Sequence, residues 1–396
     1  MEPKIRDFFN LHFNEVAYKS LIDFFPKKYS CSVPFRIAET PIFLDIKFKN
    51  ELIRAGEEIL SQILNPATLE YSMKGIPPDC FVPGDMGNPN LLAIDFAIAA
   101  DEQGNPAPRL IEFQGFPSLY AFQSEIGRVY LDLFPVPHPY TPFFNGLNEE
   151  NYLSRLGEVI LGSYAPEEVV LLEIEPWKQS TVIDFAITRK RFNIPILNLE
   201  DLILENKCLY YYDNGQKKKI KRIYNRVIFD ELKKRTDLKL NFHLTEEVMV
   251  EWVVHPNWFF RISKFLMPMM DSVFAPKSYY LKDLTEFPKD LENYVLKPLY
   301  SFSGSGVIFN LQLEDLNKIK DKENFILQKK VIYMPVINTP DGGVKSEIRL
   351  LYIWDQTAKR PKLVTNLVRL SKGDMIGVKF NKEKTWVGSS IALFTE

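Results

Sequence analysis

The run from Leu91 to Ala99, LLAIDFAIA, is apolar except for Asp95, and few folds accommodate such a segment. An ionised carboxylate in such surroundings is costly unless it is paired or bound to a cation. A Gly/Pro-rich turn spans 104–108, and Arg109-Leu110-Ile111-Glu112-Phe113 follows, again apolar around one acid. Two apolar runs joined by a short turn read as adjacent antiparallel strands. Gln114 stands two residues after Glu112, so strand alternation puts both on one face. Asp95, Glu112 and Gln114 then offer two carboxylates and an amide oxygen, hard donors that suit magnesium. The competing reading has both acids facing solvent from half-buried strands.

Bulk properties exclude several classes. With 396 residues, two or three packed units are expected. A formal net charge of −2 argues against a general nucleic-acid binder and a polybasic membrane anchor. The basic run Lys217-Lys218-Lys219, after Asp213-Asn214-Gly215, reads as a solvated hairpin edge. Cys31, Cys80 and Cys208 are far apart, which gives neither a zinc ribbon nor a disulfide framework and fits a reducing cytoplasm. Met1-Glu2-Pro3-Lys4 lacks the apolar stretch of a signal peptide, and no segment approaches the length of a membrane span. His12, His138, His243 and His255 are dispersed and read as structural.

Periodicity gives an amphipathic helix over 50–64, from Leu52, Ile53, Ile59, Leu60 and Ile63. The proline-rich stretch 134–143 reads as a boundary. Beyond it, strands and helices alternate: a buried strand at 169–174, a helix at 181–192 and a strand at 195–197. Segments 209–212 and 220–224 flank the hairpin turn. This middle region reads as a small doubly wound α/β unit. A helix is expected over 257–270, and strands at 294–297, 325–331, 348–354 and 362–369. The expected division is 1–145, 146–255 and 256–396.

Tyr294-Val295-Leu296-Lys297-Pro298 delivers a lysine on a strand, and Ser301-Phe302-Ser303-Gly304-Ser305-Gly306 follows. Gly and Ser let backbone N–H groups turn inward as an anion nest, to which the lysine adds a point charge. This is neither a Walker A loop nor a dinucleotide fingerprint, because no Gly-Lys-Ser/Thr closes it and Phe309 stands where a third glycine would. Ser346-Glu347-Ile348-Arg349 and Arg369-Leu370-Ser371 place arginines at strand ends, with Gly373, Gly377 and Asn381 beyond. Such arginines can clamp a transferring phosphoryl group.

In this order the pieces resemble the ATP-grasp superfamily. The resemblance rests on VLKP with its glycine loop, the Ile326-Leu327-Gln328 strand, EIRLLYI and the 369–381 stretch. The acidic strands, AIDFAI and RLIEFQGFPS, precede these instead of following them. That order is similar to the circularly permuted ATP-grasp arrangement of the glutathionylspermidine synthase group. Ser263-Lys264-Phe265-Leu266-Met267-Pro268 and Ile223-Tyr224-Asn225-Arg226 resemble two further motifs of that group. The family has Asn where Gln114 stands, Arg where Ala93 stands and Arg where Ser303 stands.

The resemblance implies an α/β (α+β) chain, an ATP-grasp fold in permuted order with a small doubly wound pre-ATP-grasp-like domain. It further implies ATP and Mg2+ as cofactors, with an acyl phosphate formed from a substrate carboxylate and displaced by an amine. Lys264 and Lys297 would hold phosphates under the loop Ser303, Gly304, Ser305, Gly306. Adenine would lie beside Gln328 and Lys329, metal would sit on Asp95, Glu112 and Gln114, and Arg349 and Arg369 would act on the phosphoryl group. The partners would be small-molecule or peptide acids and amines, not nucleic acid or membrane. Two other classes stand beside the ligase: a nucleotide-binding protein without turnover, and a hydrolase using Asp95 and Glu112 as acid and base.

Overall fold

The protein is described from a computed structural model. It covers every residue except Met86, Phe302, Ser303, Asp374, Met375, Gly377, Val378, Lys379, Phe380, Lys382 and Glu396. Two expected loop residues, Ser303 and Gly377, therefore lie outside the described residues.

The two acid-bearing runs form strands Leu91–Ala100 and Pro106–Gln114, paired antiparallel with Asp95 opposite Glu112. They are joined to strands from the other end of the sequence. The central sheet runs Gly388–Ser390, Lys362–Ser371, Gly342–Ile353, Leu91–Ala100, Pro106–Gln114, with Ile337–Thr339 also paired to Gly342–Ile353. The expected 348–354 strand thus begins earlier, at Gly342, because the hairpin with Ile337–Thr339 extends it.

One face of this sheet is covered by helix Ile46–Ile63, which contains the expected 50–64 segment and is capped by the Asp45 carboxylate on the Phe48 N–H. Gly56 is the close-approach point. A Cβ there would run into the Tyr352 hydroxyl and Leu350 Cδ1, so a larger side chain would require both to shift. Residues 1–90, which matched no motif, contribute this helix and Pro3–His12, Glu15–Tyr29 and Pro66–Ser72. They also contribute Ile42–Phe43, which pairs in parallel with Ala392–Leu393.

The middle region forms a four-stranded parallel sheet in the order Glu251–Val253, Arg222–Asn225, Val169–Glu173, Ile196–Asn198. Val169–Glu173 is buried throughout, as a parallel strand covered on both faces requires. The 220–224 run was expected to be one strand but divides. Ile220 closes the hairpin Cys208–Asp213/Gln216–Ile220, and Arg222 opens a strand of the parallel sheet. The hairpin turn is Asn214-Gly215, both at positive φ, as a two-residue hairpin loop demands. Lys217 and Lys218 on its edge pair with Glu205 and Asp213.

A third, antiparallel sheet places Phe325–Lys329 between Ser278–Tyr280 and Tyr294–Pro298. It has its own small core of Leu281, Leu296, Leu311, Leu316 and Leu327. The helix expected over 257–270 is broken into Trp258–Arg261 and a 3-10 turn Lys264–Met269. Two interactions interrupt it: the Ile262 carbonyl accepts the Gly115 N–H at 2.8 Å, and the Ser263 hydroxyl caps the Phe265 N–H. Pro268 removes a further donor. Among the described residues no helix is long and apolar enough to cross a membrane.

Candidate functional site

Register decides which side chains share the other face of the central sheet. Asp95 lies opposite Glu112 on one neighbour and opposite Arg349 on the other, and Glu347 lies opposite Arg369. Opposed residues of antiparallel strands point the same way, so these five side chains share one face. Arg349 Nε donates to Asp95 Oδ1 at 2.6 Å, and its Nη2 donates to Oδ2 at 2.6 Å. Arg369 Nη2 adds a third bond to Oδ2 at 2.7 Å and lies 3.3 Å from Glu347. The Tyr333 hydroxyl donates to the other Glu347 oxygen at 2.9 Å.

Two lysines reach the same place from other elements. Lys264, on the 3-10 turn, lies 3.4 Å from Glu112 Oε2 and donates to the Ser301 carbonyl at 2.9 Å. Lys297, on its strand, donates to the Ile111 carbonyl at 3.3 Å, one residue before Glu112. Burial alone would raise the Glu112 pKa. Lys264, Arg349, Arg369 and Lys297 together outweigh it and bring the carboxyl down to about 2. Desolvation pulls the Lys297 ammonium down to about 8 despite the nearby acids. Burial would lower Arg369, but Glu347 and Asp95 hold it above its ordinary value. Glu347 is pushed up, mainly by burial.

The structure thus gathers Asp95, Glu112, Gln114, Lys264, Lys297, Arg349 and Arg369 from distant parts of the chain. Gln114 Nε2 donates to Glu112 Oε1 at 2.7 Å. The remaining expected residues stand apart. Gln328 is buried in the middle strand, its amide on the Ser278 hydroxyl, and Lys329 is exposed. The Lys329 and Lys330 N–H groups are taken by Lys277 and Asn293 carbonyls, so these donors are not open to an adenine edge. Among the described residues no hydrogen bond or ion pair joins Gln328 or Lys329 to the charged cluster. Gly304, Ser305 and Gly306 form an exposed turn, with both glycines at positive φ. The Asn381 carboxamide accepts from the Lys372 N–H at 2.9 Å and so stabilises the end of the Lys362–Ser371 strand.

Sequence reasoning missed Glu347 as a site residue. The available signal was its place two residues before Arg349 on one strand, hence on the same face. It also gave no role to the C-terminal edge of the parallel sheet, the usual ligand position in such folds. There Arg226 donates from Nη1 to the Pro117 carbonyl at 2.7 Å and packs over the Phe116 ring. Its Nε and the Asn225 Nδ2 are buried without a partner. Glu173 is 4% exposed, and burial lifts its carboxyl to about 8. Asp184, also buried, accepts the Leu119 and Phe122 N–H groups and so ties the loop after Gln114 to this sheet.

The donor chemistry of Asp95, Glu112 and Gln114 fits a magnesium ion: hard oxygens on adjacent strands of one face. In this arrangement the Asp95 and Glu112 oxygens are engaged by arginine, lysine and amide donors. No group of three His, Cys, Asp or Glu residues set to hold a metal is found among the described residues.

The architecture is a mixed α/β fold with several sheets. It is similar to a glutathione synthetase-like effector from Globodera pallida, solved in its apo form. The two have a TM-score of 0.56 at 9% identity, over 90% of this chain and 93% of that one. At that identity the likeness concerns the fold. No protein-family model matches the sequence, and no curated protein matches it.

Proposed function

We propose that this chain is an ATP- and magnesium-dependent carboxylate–amine ligase, an ATP-grasp fold in circularly permuted order similar to the glutathionylspermidine synthase group. One observation carries the reading: four cations and three acids from separate segments converge on one sheet face. A fixed cluster of this kind can neutralise a polyphosphate and position its terminal group, which is most of what phosphoryl transfer needs.

Lys264 and Lys297 would hold phosphate oxygens, and Arg349 and Arg369 would meet the transferring group. Asp95, Glu112 and Gln114 would hold magnesium, which when bound supplies charge neutralisation and orientation. The substrate carboxylate oxygen would attack the terminal phosphorus and ADP would leave. The amine nitrogen would then attack the acyl carbon, releasing phosphate and a proton. Arg226 and Asn225, with unpartnered buried donors, would bind the acid substrate, and Glu173 beside them would act as a neutral hydrogen-bonding group below pH about 8. The cavity between Glu112, Lys264, Phe116 and Ser301 holds about 30 Å³, room for water only. A nucleotide would therefore require this cavity to open, and its closure would exclude water from the acyl phosphate.

The test is ADP release across a panel of small acids and amines. ADP that requires both acid and amine, and is lost in Glu112→Ala, supports the ligase. Stoichiometric nucleotide binding without ADP from any pair would favour a binding protein without turnover. One observation supports that second reading: the arginines already occupy Asp95. A cytoplasmic location is part of the first proposal and rests on cysteine usage alone.

A further inference from the structure

The arginines expected to meet phosphate and the carboxylate expected to meet metal are bonded to each other. Asp95 is fully buried, and both its oxygens are taken, Oδ1 by Arg349 and Oδ2 by Arg349 and Arg369. Arg349 Nη2 also stands 3.9 Å from Glu112 Oε1. Its guanidinium therefore lies between the two carboxylates, where a cation bridging them would be.

Charge counting limits what can displace it. Three carboxylates (Asp95, Glu112, Glu347) face four cations (Lys264, Lys297, Arg349, Arg369), leaving one positive charge in excess. A bare divalent ion raises that excess to three. A polyphosphate of about four negative charges, arriving alone, leaves three negative charges. The two together leave one negative charge, the smaller imbalance in a poorly solvated place. A guanidinium exchanges a carboxylate for a phosphate with little change in geometry, because both accept its two-pronged donor set.

We propose that Asp95 is an internal latch. In the ligand-free protein it occupies Arg349 and Arg369 as a phosphate would, and divalent metal and polyphosphate enter as one ligand by partner exchange. Asp95 and Glu112 pass to the metal as the two arginines pass to phosphate. The site is then closed to free metal and weakly open to free polyphosphate, so the chain senses the complex and neither component alone. This inference rests on the phosphate-binding reading above and deepens it.

The test is calorimetric titration of the full chain and its Asp95→Asn and Glu347→Gln variants with inorganic tripolyphosphate and with β,γ-imido-ATP, in excess EDTA and in excess magnesium. The wild type is expected to bind both at least about tenfold more tightly with magnesium. Asp95→Asn frees the arginines, so its metal-free binding should exceed the wild type's by about tenfold, and magnesium should add little. With no latch the substitution acts by charge alone, and Glu347→Gln, which removes one carboxylate from the same face and leaves Asp95 on its arginines, gains as much metal-free binding as Asp95→Asn. That result would overturn the proposal even if imido-ATP binds the wild type, in which case the nucleotide reading survives alone. If tripolyphosphate behaves as expected and imido-ATP binds no better, the latch stands and the nucleotide reading falls. Should neither probe bind any protein, both fall. Manganese resonance on the wild type decides the case if the variant does not fold. Manganese is expected to stay free until tripolyphosphate is added, and stoichiometric manganese binding without it would contradict the latch.

Discussion

Replacing Gly115 by alanine places a methyl group between the end of the Pro106–Gln114 strand and the short helix that leads to Lys264. The new Cβ would lie 2.7 Å from the Trp258 carbonyl oxygen and 2.9 Å from Ile262 Cβ. Neither neighbour is a flexible side-chain tip, so the helix must retreat by several tenths of an ångström. That retreat stretches the bond from the Gly115 N–H to the Ile262 carbonyl, now 2.8 Å. Overpacking of this kind costs about 1–3 kcal/mol, and a weakened buried hydrogen bond adds about 1 kcal/mol. The stiffer unfolded chain returns about 0.4–1 kcal/mol. The expected net loss is about 1–3 kcal/mol, read by equilibrium urea unfolding with an unchanged slope. Lys264 should also draw away from Glu112, so tripolyphosphate affinity with magnesium should fall. Stability within about 0.5 kcal/mol of wild type, with unaltered affinity, would refute the packing argument.

Further predictions concern charge and support. Lys297 loses its proton near pH 8, so tripolyphosphate binding should weaken as pH rises through about 8, and Lys297→Arg should move that loss upward. Glu173, raised from 4.5 to about 8, holds its proton in the folded state over that interval. Its contribution is whole below pH 4.5 and is lost as pH rises through about 8, at no more than about 1.4 kcal/mol per pH unit. Urea unfolding of Glu173→Gln against wild type should show that slope vanish, and parallel curves would contradict the buried-acid assignment. Glu112, lowered from 4.5 to about 2, acts in the opposite sense: its contribution is present above pH 4.5 and is lost as pH falls toward about 2. The stability gap between wild type and Glu112→Gln should therefore close on acidification. Asp184→Ala leaves two buried N–H groups, of Leu119 and Phe122, without their acceptor and should cost about 2–4 kcal/mol in unfolding free energy.

The strands bearing Asp95 and Glu112 were legible because an acid alone in an apolar run, repeated across a turn, fixes an antiparallel pair. Lys297 was legible as a strand-borne cation before a glycine turn, and helix Ile46–Ile63 from its periodicity. The Asp95–Arg349 pair was not, because it depends on register between strands some 250 residues apart, which no local pattern encodes. The break at Ile262 was hidden for a similar reason: the Gly115 N–H that takes its carbonyl comes from a remote strand. The split between Ile220 and Arg222 escaped notice because one uninterrupted stretch, with only Lys221 between, serves two sheets. Gln328 and Lys329 were placed by motif order alone, and the backbone donors of Lys329 and Lys330 prove to be spent on the Lys277 and Asn293 carbonyls.

The central claim is that this sheet face is a metal–nucleotide site. Calorimetric titration of ATP with magnesium into wild type, Lys297→Ala and Glu112→Ala tests it most directly. The account predicts magnesium-dependent binding to the wild type that weakens at least about tenfold in each variant, since Lys297→Ala removes a phosphate-facing cation and Glu112→Ala a metal-holding carboxylate. Equal binding by all three folded proteins, or none by the wild type, would contradict it.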